Sequence, residues 1–170
     1  MNLFAEAGQF LTDPANWTGA SGIPQRMLEH VGYSLLTMVI ALVIAVPLGL
    51  WVGHSGRGGG VVVGLAGALR SLPTLGLLTL FTLLMGLGLM PPILALVLLA
   101  IPPILSGTYS GIAAVSPALV DAARAMGMTE SQTLFRVEVP VALPVILGGI
   151  RNAALQVLAT VTIVAYINLG

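Results

Sequence analysis

The sequence predicts an all-α protein, a bundle of helices that crosses a membrane several times. Hydrophobic residues make up 57% of the 170 residues and charged residues only 7%, and the mean hydropathy is +1.04. Soluble domains carry about 25% charged residues, so this chain has too little polar surface to cover a water-exposed fold. The stretch from Ser71 to Val120 contains no Asp, Glu, Lys, Arg or His, which is typical of membrane helices.

The first 30 residues predict a segment outside the membrane, with a short interfacial helix around Phe4–Leu11. Helix-breaking residues interrupt this segment at Asp13-Pro14, Gly22 and Pro24. A transmembrane domain is predicted over residues 31–170.

Four crossings are predicted from apolar stretches of about 20 residues or more. They are Val31–Val52, a kinked helix within Val61–Leu89 that crosses from about Leu72, Ile93–Val115 with a bend at Pro102-Pro103, and Pro140 to about Ile167.

The placement of positive residues predicts the orientation. His54 and Arg57 follow the first crossing, and Arg124 and Arg136 follow the third. Both loops lie on the same side by parity, and positively charged short loops stay in the cytoplasm. The N-terminus is therefore expected outside. His30 and His54 flank the first crossing without a neighbouring nucleophile or metal-ligand set, and we interpret them as interfacial residues.

The loop over residues 116–139 is a charged insert in an otherwise apolar chain. Ser116 before Pro117 predicts a helix start with a hydroxyl N-cap. Gly127 fits a left-handed helix end, and Thr129 with Gln132 fits a capping box. A second short helix is predicted from Glu130 to about Val137, ending before Pro140.

The surface at Asp121-Ala122-Ala123 offers little side-chain bulk, so a second protein could approach its backbone closely. An amphipathic loop lying on the membrane surface is the alternative interpretation. Lysine is absent from the chain, which removes the phosphate-binding loop whose lysine contacts the terminal phosphates. Any ATP that powers this protein must therefore bind to another chain.

The same loop resembles the cytoplasmic signature of the permeases of binding-protein-dependent ABC importers, in which E-A-A precedes a glycine and then I-x-L-P. This chain has Asp121-Ala122-Ala123, then Gly127, then Val137-Glu138-Val139-Pro140 at the matching spacing. Asp replaces Glu, and Val replaces Ile and Leu. The resemblance implies that this segment is a coupling helix, which sits in a groove of the ATPase subunit. It assigns ATPase coupling to Asp121, Ala122, Ala123, Gly127 and Pro140.

The resemblance extends from about Gly32 to Gly170, and further motifs are similar to the osmoprotectant branch of these permeases. Those motifs are Tyr33-Ser34-Leu35-Leu36, Arg70-Ser71-Leu72-Pro73-Thr74, Pro103-Ile104-Leu105 and Thr108-Tyr109. This branch imports glycine betaine, choline, carnitine and related compounds. Its members have a further crossing, so a fifth crossing is expected to be missing at the C-terminus.

The resemblance also implies the partners and the location. A separate ABC ATPase subunit binds ATP and Mg²⁺, an extracytoplasmic solute-binding protein delivers the solute, and a second permease subunit, expected to be identical, completes the path. The chain itself is expected to catalyse nothing and to hold no cofactor or metal. It is expected to contact membrane lipid in a bacterial or archaeal cytoplasmic membrane. The zero formal net charge gives no indication of nucleic-acid binding.

Polar residues within the crossings are candidates for the translocation path, because an ionisable residue at the bilayer centre costs at least ~2.5 kcal/mol. Arg70 and Arg151 are such residues, and snorkelling to the interface is their alternative. Asn152, Gln156 and Thr160 share one helix face at a spacing of four. This face either lines a path or hydrogen-bonds a neighbouring helix.

Three rival functions remain at this point. The first is the same type of permease for an amino acid, methionine or a sulfonate. The second is a carrier or channel without ATP coupling, and the third is a purely structural membrane subunit. The charged loop argues against the second, because a stand-alone carrier has no need of a docking helix there.

Overall fold

The computed structural model describes residues 2–162, and all regular structure in that range is helical. The prediction of a helical membrane bundle is therefore confirmed. The helices are α1 Leu3–Thr12, a 3₁₀ turn Pro14–Trp17, α2 Ile23–Ser55, α3 Gly59–Ser71, α4 Thr74–Met85, α5 Met90–Ala113, α6 Pro117–Ala125, α7 Glu130–Thr133, a π turn Leu134–Glu138 and α8 Val139–Val161.

The helix of the first crossing begins earlier than the sequence predicts. α2 contains 33 residues, or roughly 50 Å at 1.5 Å per residue, so it extends beyond a bilayer core of about 30 Å. Pro24 lies in the first turn of α2, where the missing N–H of a proline costs nothing. The prediction that Pro24 breaks a helix is therefore wrong. An ion pair of 3.0 Å between Arg26 and Glu29 lies on this extension. The boundary placed between residues 30 and 31 thus falls inside one helix.

The region predicted as the second crossing consists of two helices with a sharp bend between them and not of one kinked helix. α3 and α4 meet at an angle of 82°. Leu72 between them is extended, as expected for a residue before proline, here Pro73. At 13 and 12 residues, each helix is too short to cross a bilayer alone. Three helices in the described residues are long and apolar enough to cross, and this pair makes a fourth if counted as one.

α5 lies at the centre of the bundle, with α2, α3, α4 and α8 packed against it. Small side chains allow α2 and α8 to approach it closely. The buried face of α2 consists of Ser34, Thr37, Ala41, Ala45, Gly49 and Val52. The buried face of α8 consists of Ala142, Ile146, Gly149, Ala153, Val157 and Val161.

The fourth crossing is continuous with the end of the polar loop. The prediction that a short helix ends before Pro140 is wrong, because α7, the π turn and α8 form one helical segment from Glu130 to Val161. In the π turn the Val139 N–H donates to the carbonyl of Leu134, five residues back. The chain then reaches Pro140 in the first turn of α8, where a proline is tolerated. The predicted end near Ile167 and the expected missing fifth crossing lie outside the described residues.

Replacing Gly149 by alanine should destabilise the bundle by about 1–3 kcal/mol, as overpacking does. A Cβ at Gly149 would lie 2.7 Å from the Pro103 carbonyl oxygen and 2.9 Å from the Gly107 Cα. Thermal unfolding in detergent measures the effect.

Gly148→Ala is the matched control, since a Cβ at Gly148 has no heavy atom within 4 Å. It should change stability by no more than about 1 kcal/mol. Equal unfolding temperatures for the two variants would contradict the packing described for α5 and α8.

Candidate functional site

α6 opens the polar loop where the sequence predicts. Pro117 occupies its first turn, and Ser116 stands at the N-cap position. The Ser116 hydroxyl makes no capping hydrogen bond, so the prediction of a hydroxyl cap is wrong. The first-turn proline alone marks this start, because its fixed φ suits a helix and its missing N–H needs no partner there.

The end of α6 confirms the prediction for Gly127. Gly127 has a φ of +83°, in the left-handed region that a glycine adopts at little cost. The Met128 N–H donates to the Ala123 carbonyl at 3.2 Å, and the Gly127 N–H donates to the Arg124 carbonyl at 2.9 Å. This is the Schellman pattern, which satisfies carbonyls at a helix end and turns the chain.

The three residues of the D-A-A motif have different environments. The side chain of Asp121 is 76% exposed, and Ala122 is also exposed. Ala123 is only 1% exposed, so it cannot contribute to an outer surface. Its small size serves packing within the chain, where α6 lies against α7 and the π turn. The exposed surface of this segment, which is free for a partner, therefore includes Asp121, Ala122 and Met126 but not Ala123.

The capping box at the start of α7 is confirmed. The Gln132 N–H donates to the Thr129 hydroxyl oxygen at 3.3 Å, and the Thr129 N–H donates to the Gln132 side-chain carbonyl at 2.9 Å. This reciprocal pair fixes the direction in which the chain leaves the Gly127 turn.

A buried polar contact joins the loop to the first crossing. His54, in the last turn of α2, places its Nδ1 2.6 Å from Oε2 of Glu138, at the end of the π turn. The two side chains are 17% and 6% exposed. A buried carboxylate without a partner is costly, so this contact satisfies Glu138. The two predicted cytoplasmic loops therefore lie at the same end of the bundle.

The contact extends into a chain of polar groups. His54 Nε2 lies 3.1 Å from Oε2 of Glu130, and the same oxygen accepts a hydrogen bond of 3.0 Å from Arg124 Nη2. The hydrogen bond from Arg124 lowers the pKa of the Glu130 carboxyl, and it raises the pKa of the Arg124 guanidinium. Glu130 is thus held in its ionised form between a helix of the loop and the first crossing.

The sequence does not predict this cluster, because the position of His54 beside the first crossing indicates an interfacial residue and Glu138 lies in the signature without a role of its own. Their separation of 84 residues leaves no local pattern to detect. A usable signal exists in the topology. His54 and the charged loop were predicted on one side of the membrane, where a histidine and a carboxylate could meet.

The candidate path residues lie on the outside of the described chain. Arg70 is exposed in the last turn of α3, and Arg151, Asn152 and Gln156 are exposed on α8. Thr160 is half-buried, and its hydroxyl donates to the Gln156 carbonyl at 2.7 Å. Among residues 2–162, the side chains of Asn152 and Gln156 hydrogen-bond to no neighbouring helix. The structure brings Asn152, Gln156 and Thr160 onto one side of α8 but does not bring Arg70 to them.

Within the described part of the chain, no group of three or more His, Cys, Asp or Glu side chains could hold a metal ion.

Comparison with known proteins identifies similar chains. The family described as "binding-protein-dependent transport system inner membrane component" matches residues 45–170. A choline transport system permease protein of Bacillus subtilis is 33% identical over 90% of this chain and 70% of its own length. A carnitine transport permease protein of Listeria monocytogenes is 36% identical over 90% of this chain and 69% of its own length. A glycine betaine/proline betaine transport system permease protein of Escherichia coli is 30% identical over 89% of this chain and 43% of its own length.

Replacing Thr129 by alanine should loosen the start of α7, because the Gln132 N–H loses its acceptor. The expected cost is about 1 kcal/mol, which corresponds to roughly fivefold faster local opening. Amide hydrogen exchange of the loop in detergent measures this rate. Thr129→Ser keeps the acceptor and should exchange like the wild type, and equal rates in the alanine variant would contradict the capping role.

Proposed function

The chain belongs to the family of inner membrane components of binding-protein-dependent transport systems, and we propose that it imports a quaternary-ammonium osmoprotectant. It is a multi-pass membrane protein and not an enzyme. A protein of this family works with an ATPase on a separate chain and with a solute-binding protein.

The names of the relatives support the substrate class. The permeases described above are named for choline, carnitine, and glycine betaine with proline betaine. All four compounds carry a quaternary ammonium group, and they differ in the rest of the molecule. Glycine betaine, choline or carnitine is therefore the proposed cargo, and a permease for an amino acid, methionine or a sulfonate is the alternative within the same family.

The coupling proposal rests on the exposed side of α6, which contains Asp121 and Ala122. Asp121 projects from a loop whose base is anchored by buried side chains, and its carboxylate has only a long contact of 4.0 Å with Arg124. Asp121 offers a charge for a partner to bind, and Ala122 beside it has a small side chain. A helix surface with so little side-chain bulk suits docking in a groove of the ATPase. Gly127 supplies the turn behind it, and Pro140 starts the crossing that follows. Ala123 supports this surface from within.

The proposed translocation path follows the polar side of α8. The side chains of Asn152 and Gln156 lie along one edge of the buried face of this helix. Exposure of their amide groups to lipid would be costly, because lipid tails cannot hydrogen-bond to them. A second permease subunit, proposed to be an identical copy, would enclose them with water between the two chains. Arg151 would lie beside this polar side, and Arg70, in the last turn of α3, would contribute to the path from a separate position.

The orientation is proposed from the positive residues near the loop. His54, Arg57, Arg124 and Arg136 would face the cytoplasm and the ATPase. The N-terminal residues 1–30 would then lie outside, on the side from which the binding protein delivers its solute, although α2 already begins within them.

Asp121→Arg and Gly127→Trp should each abolish co-purification of the ATPase and hydrolysis stimulated by the binding protein. The first variant reverses the charge of the proposed anchor. The second places a bulky side chain at a φ of +83° beside the docking surface. Pull-down from detergent and phosphate release measure the two effects.

Matched controls separate docking from folding. Gly19 has a φ of +82° and open space around it, like Gly127, but it precedes α2 at the opposite end of the bundle. Gly19→Trp and Glu6→Arg should retain the ATPase. Persistence of ATPase association and stimulated hydrolysis in both loop variants would overturn the coupling assignment.

Cysteine accessibility tests the proposed path, because the chain contains no cysteine. Gln156→Cys should react with a membrane-impermeant thiol reagent, and glycine betaine delivered by its binding protein should change that rate. Val43→Cys lies on α2, opposite the buried face of that helix, is also exposed, and should stay unreactive in lipid. Equal reactivity at the two positions, or none at position 156, would contradict the assignment.

A further inference from the structure

The polar contacts of His54 connect three parts of the loop to one helix. Within residues 2–162, His54 makes both of the side-chain polar contacts between α2 and the loop, to Glu138 at 2.6 Å and to Glu130 at 3.1 Å. Glu138 ends the π turn and Glu130 starts α7, so the imidazole holds both ends of this short segment. Arg124 then continues the chain of contacts to α6.

The burial of the pair favours a rigid connection. Glu138 has almost no access to water, with a side chain 6% exposed. A charge-assisted hydrogen bond at this distance is stronger and more directional than a neutral one. Both ring nitrogens face carboxylates, and carboxylates accept but cannot donate when ionised. The ring therefore cannot rotate without giving up one partner.

Apolar side chains pack around the same contact between His54 and Glu138. Leu50 of α2, one turn before His54, packs against a cluster of Ile112, Val115, Ala142 and Ile146. Leu134 and Val139, which border the π turn, pack against that cluster as well. π turns are frequent at functional sites, where they alter the direction of a side chain within a helix.

The backbone connects the loop to α5, which is separated from α6 by three residues, and to α8, since α7, the π turn and α8 are continuous. α2 has no such backbone connection to the loop. A displacement of the loop can reach α2 only through contacts between side chains. Within residues 2–162, the polar contacts among these are the two made by His54. The 33 residues of α2 then extend to the opposite end of the bundle.

We propose that His54 is a positioning residue that ties the coupling loop to the first crossing, so that movement of the loop displaces α2 and α8 together. The proposal rests on the proposed function, because it presumes that an ATPase moves this loop. His54 contacts neither the solute nor the ATPase in this account. Its loss should uncouple hydrolysis from solute delivery and leave ATPase docking intact, since Asp121 and Ala122 keep their exposed positions.

The test uses the chain reconstituted with its ATPase and binding protein, with glycine betaine as the probe. His54→Leu removes both polar contacts, and Glu138→Gln retains the shape of the carboxylate without its charge. The readouts are the amount of ATPase that co-purifies, the stimulation of hydrolysis by loaded binding protein, and the uptake per ATP hydrolysed. His30→Leu is the matched control, because it changes the same residue type on the same helix at its other end.

We expect His54→Leu to co-purify with the ATPase at the wild-type amount and to lose about tenfold in stimulation and in uptake per ATP, within the 5–150-fold range of typical coupling free energies. His54→Gln, which keeps one donor for Glu138, should recover part of this loss. His30→Leu should behave as the wild type does. If His54→Leu does not fold, the test rests on Glu138→Gln alone. That variant should also lose stimulation and uptake per ATP, but less than tenfold.

Wild-type stimulation and uptake per ATP in folded His54→Leu or Glu138→Gln would overturn the proposal. An equal loss in His30→Leu would also overturn it, because the effect would not depend on the loop. A wild-type chain that neither binds the ATPase nor takes up solute would instead refute the proposed function itself.

Discussion

The close approach of α2 and α8 to the central helix α5 is the constraint on which the rest of the structure depends. Lipid tails are as apolar as the side chains of these helices, so no hydrophobic force drives the helices together and packing contacts must hold them. Gly107 of α5 and Gly149 of α8 bring two backbones close together, since a Cβ on either would lie within 3 Å of the other's Cα. In an 18-residue apolar stretch of α5, 61% of the residues are buried. The corresponding share is 28% in α2 and 28% in the segment that contains α8. The outer faces of these two helices remain available to lipid or to a second subunit.

This packing also determines where the polar groups meet. Because α2 and α8 both lie against α5, the last turn of α2 is brought beside the π turn that precedes α8, and His54 meets Glu138. The loop is thereby held at one end of the bundle, and the exposed part of α6 projects from a fixed base. An ATPase that moved a flexible surface loop could transmit little to the membrane. A loop joined to α5 and α8 by its backbone and to α2 by a buried polar pair can transmit displacement to three crossings at once.

Local residue types predicted those features that depend on a few neighbouring residues. The left-handed glycine at 127, the capping box at Thr129 and the proline that starts α6 all follow from backbone geometry. Charge-free stretches likewise predicted the crossings. The prediction was wrong at the 82° break beside Pro73, although the restriction that a proline places on the residue before it is a local signal. It was also wrong for the π turn that carries the helix through Pro140 and for the burial of Ala123, which depend on packing. The contact between His54 and Glu138 joins residues 84 positions apart, and no periodicity in the sequence records it. The polar side of α8 was correctly predicted as a shared face, while its role in a path stays a prediction.

Solute uptake by proteoliposomes tests whether this chain is the membrane subunit of an ATP-driven importer. Vesicles would contain this chain with its partner ATPase, ATP on the ATPase side and glycine betaine with the binding protein on the other. The account predicts accumulation of glycine betaine against its gradient, dependent on ATP hydrolysis, on the binding protein and on the ATPase together. Equal glycine betaine flux without the ATPase, or without the binding protein, would contradict the account and indicate a stand-alone carrier or channel.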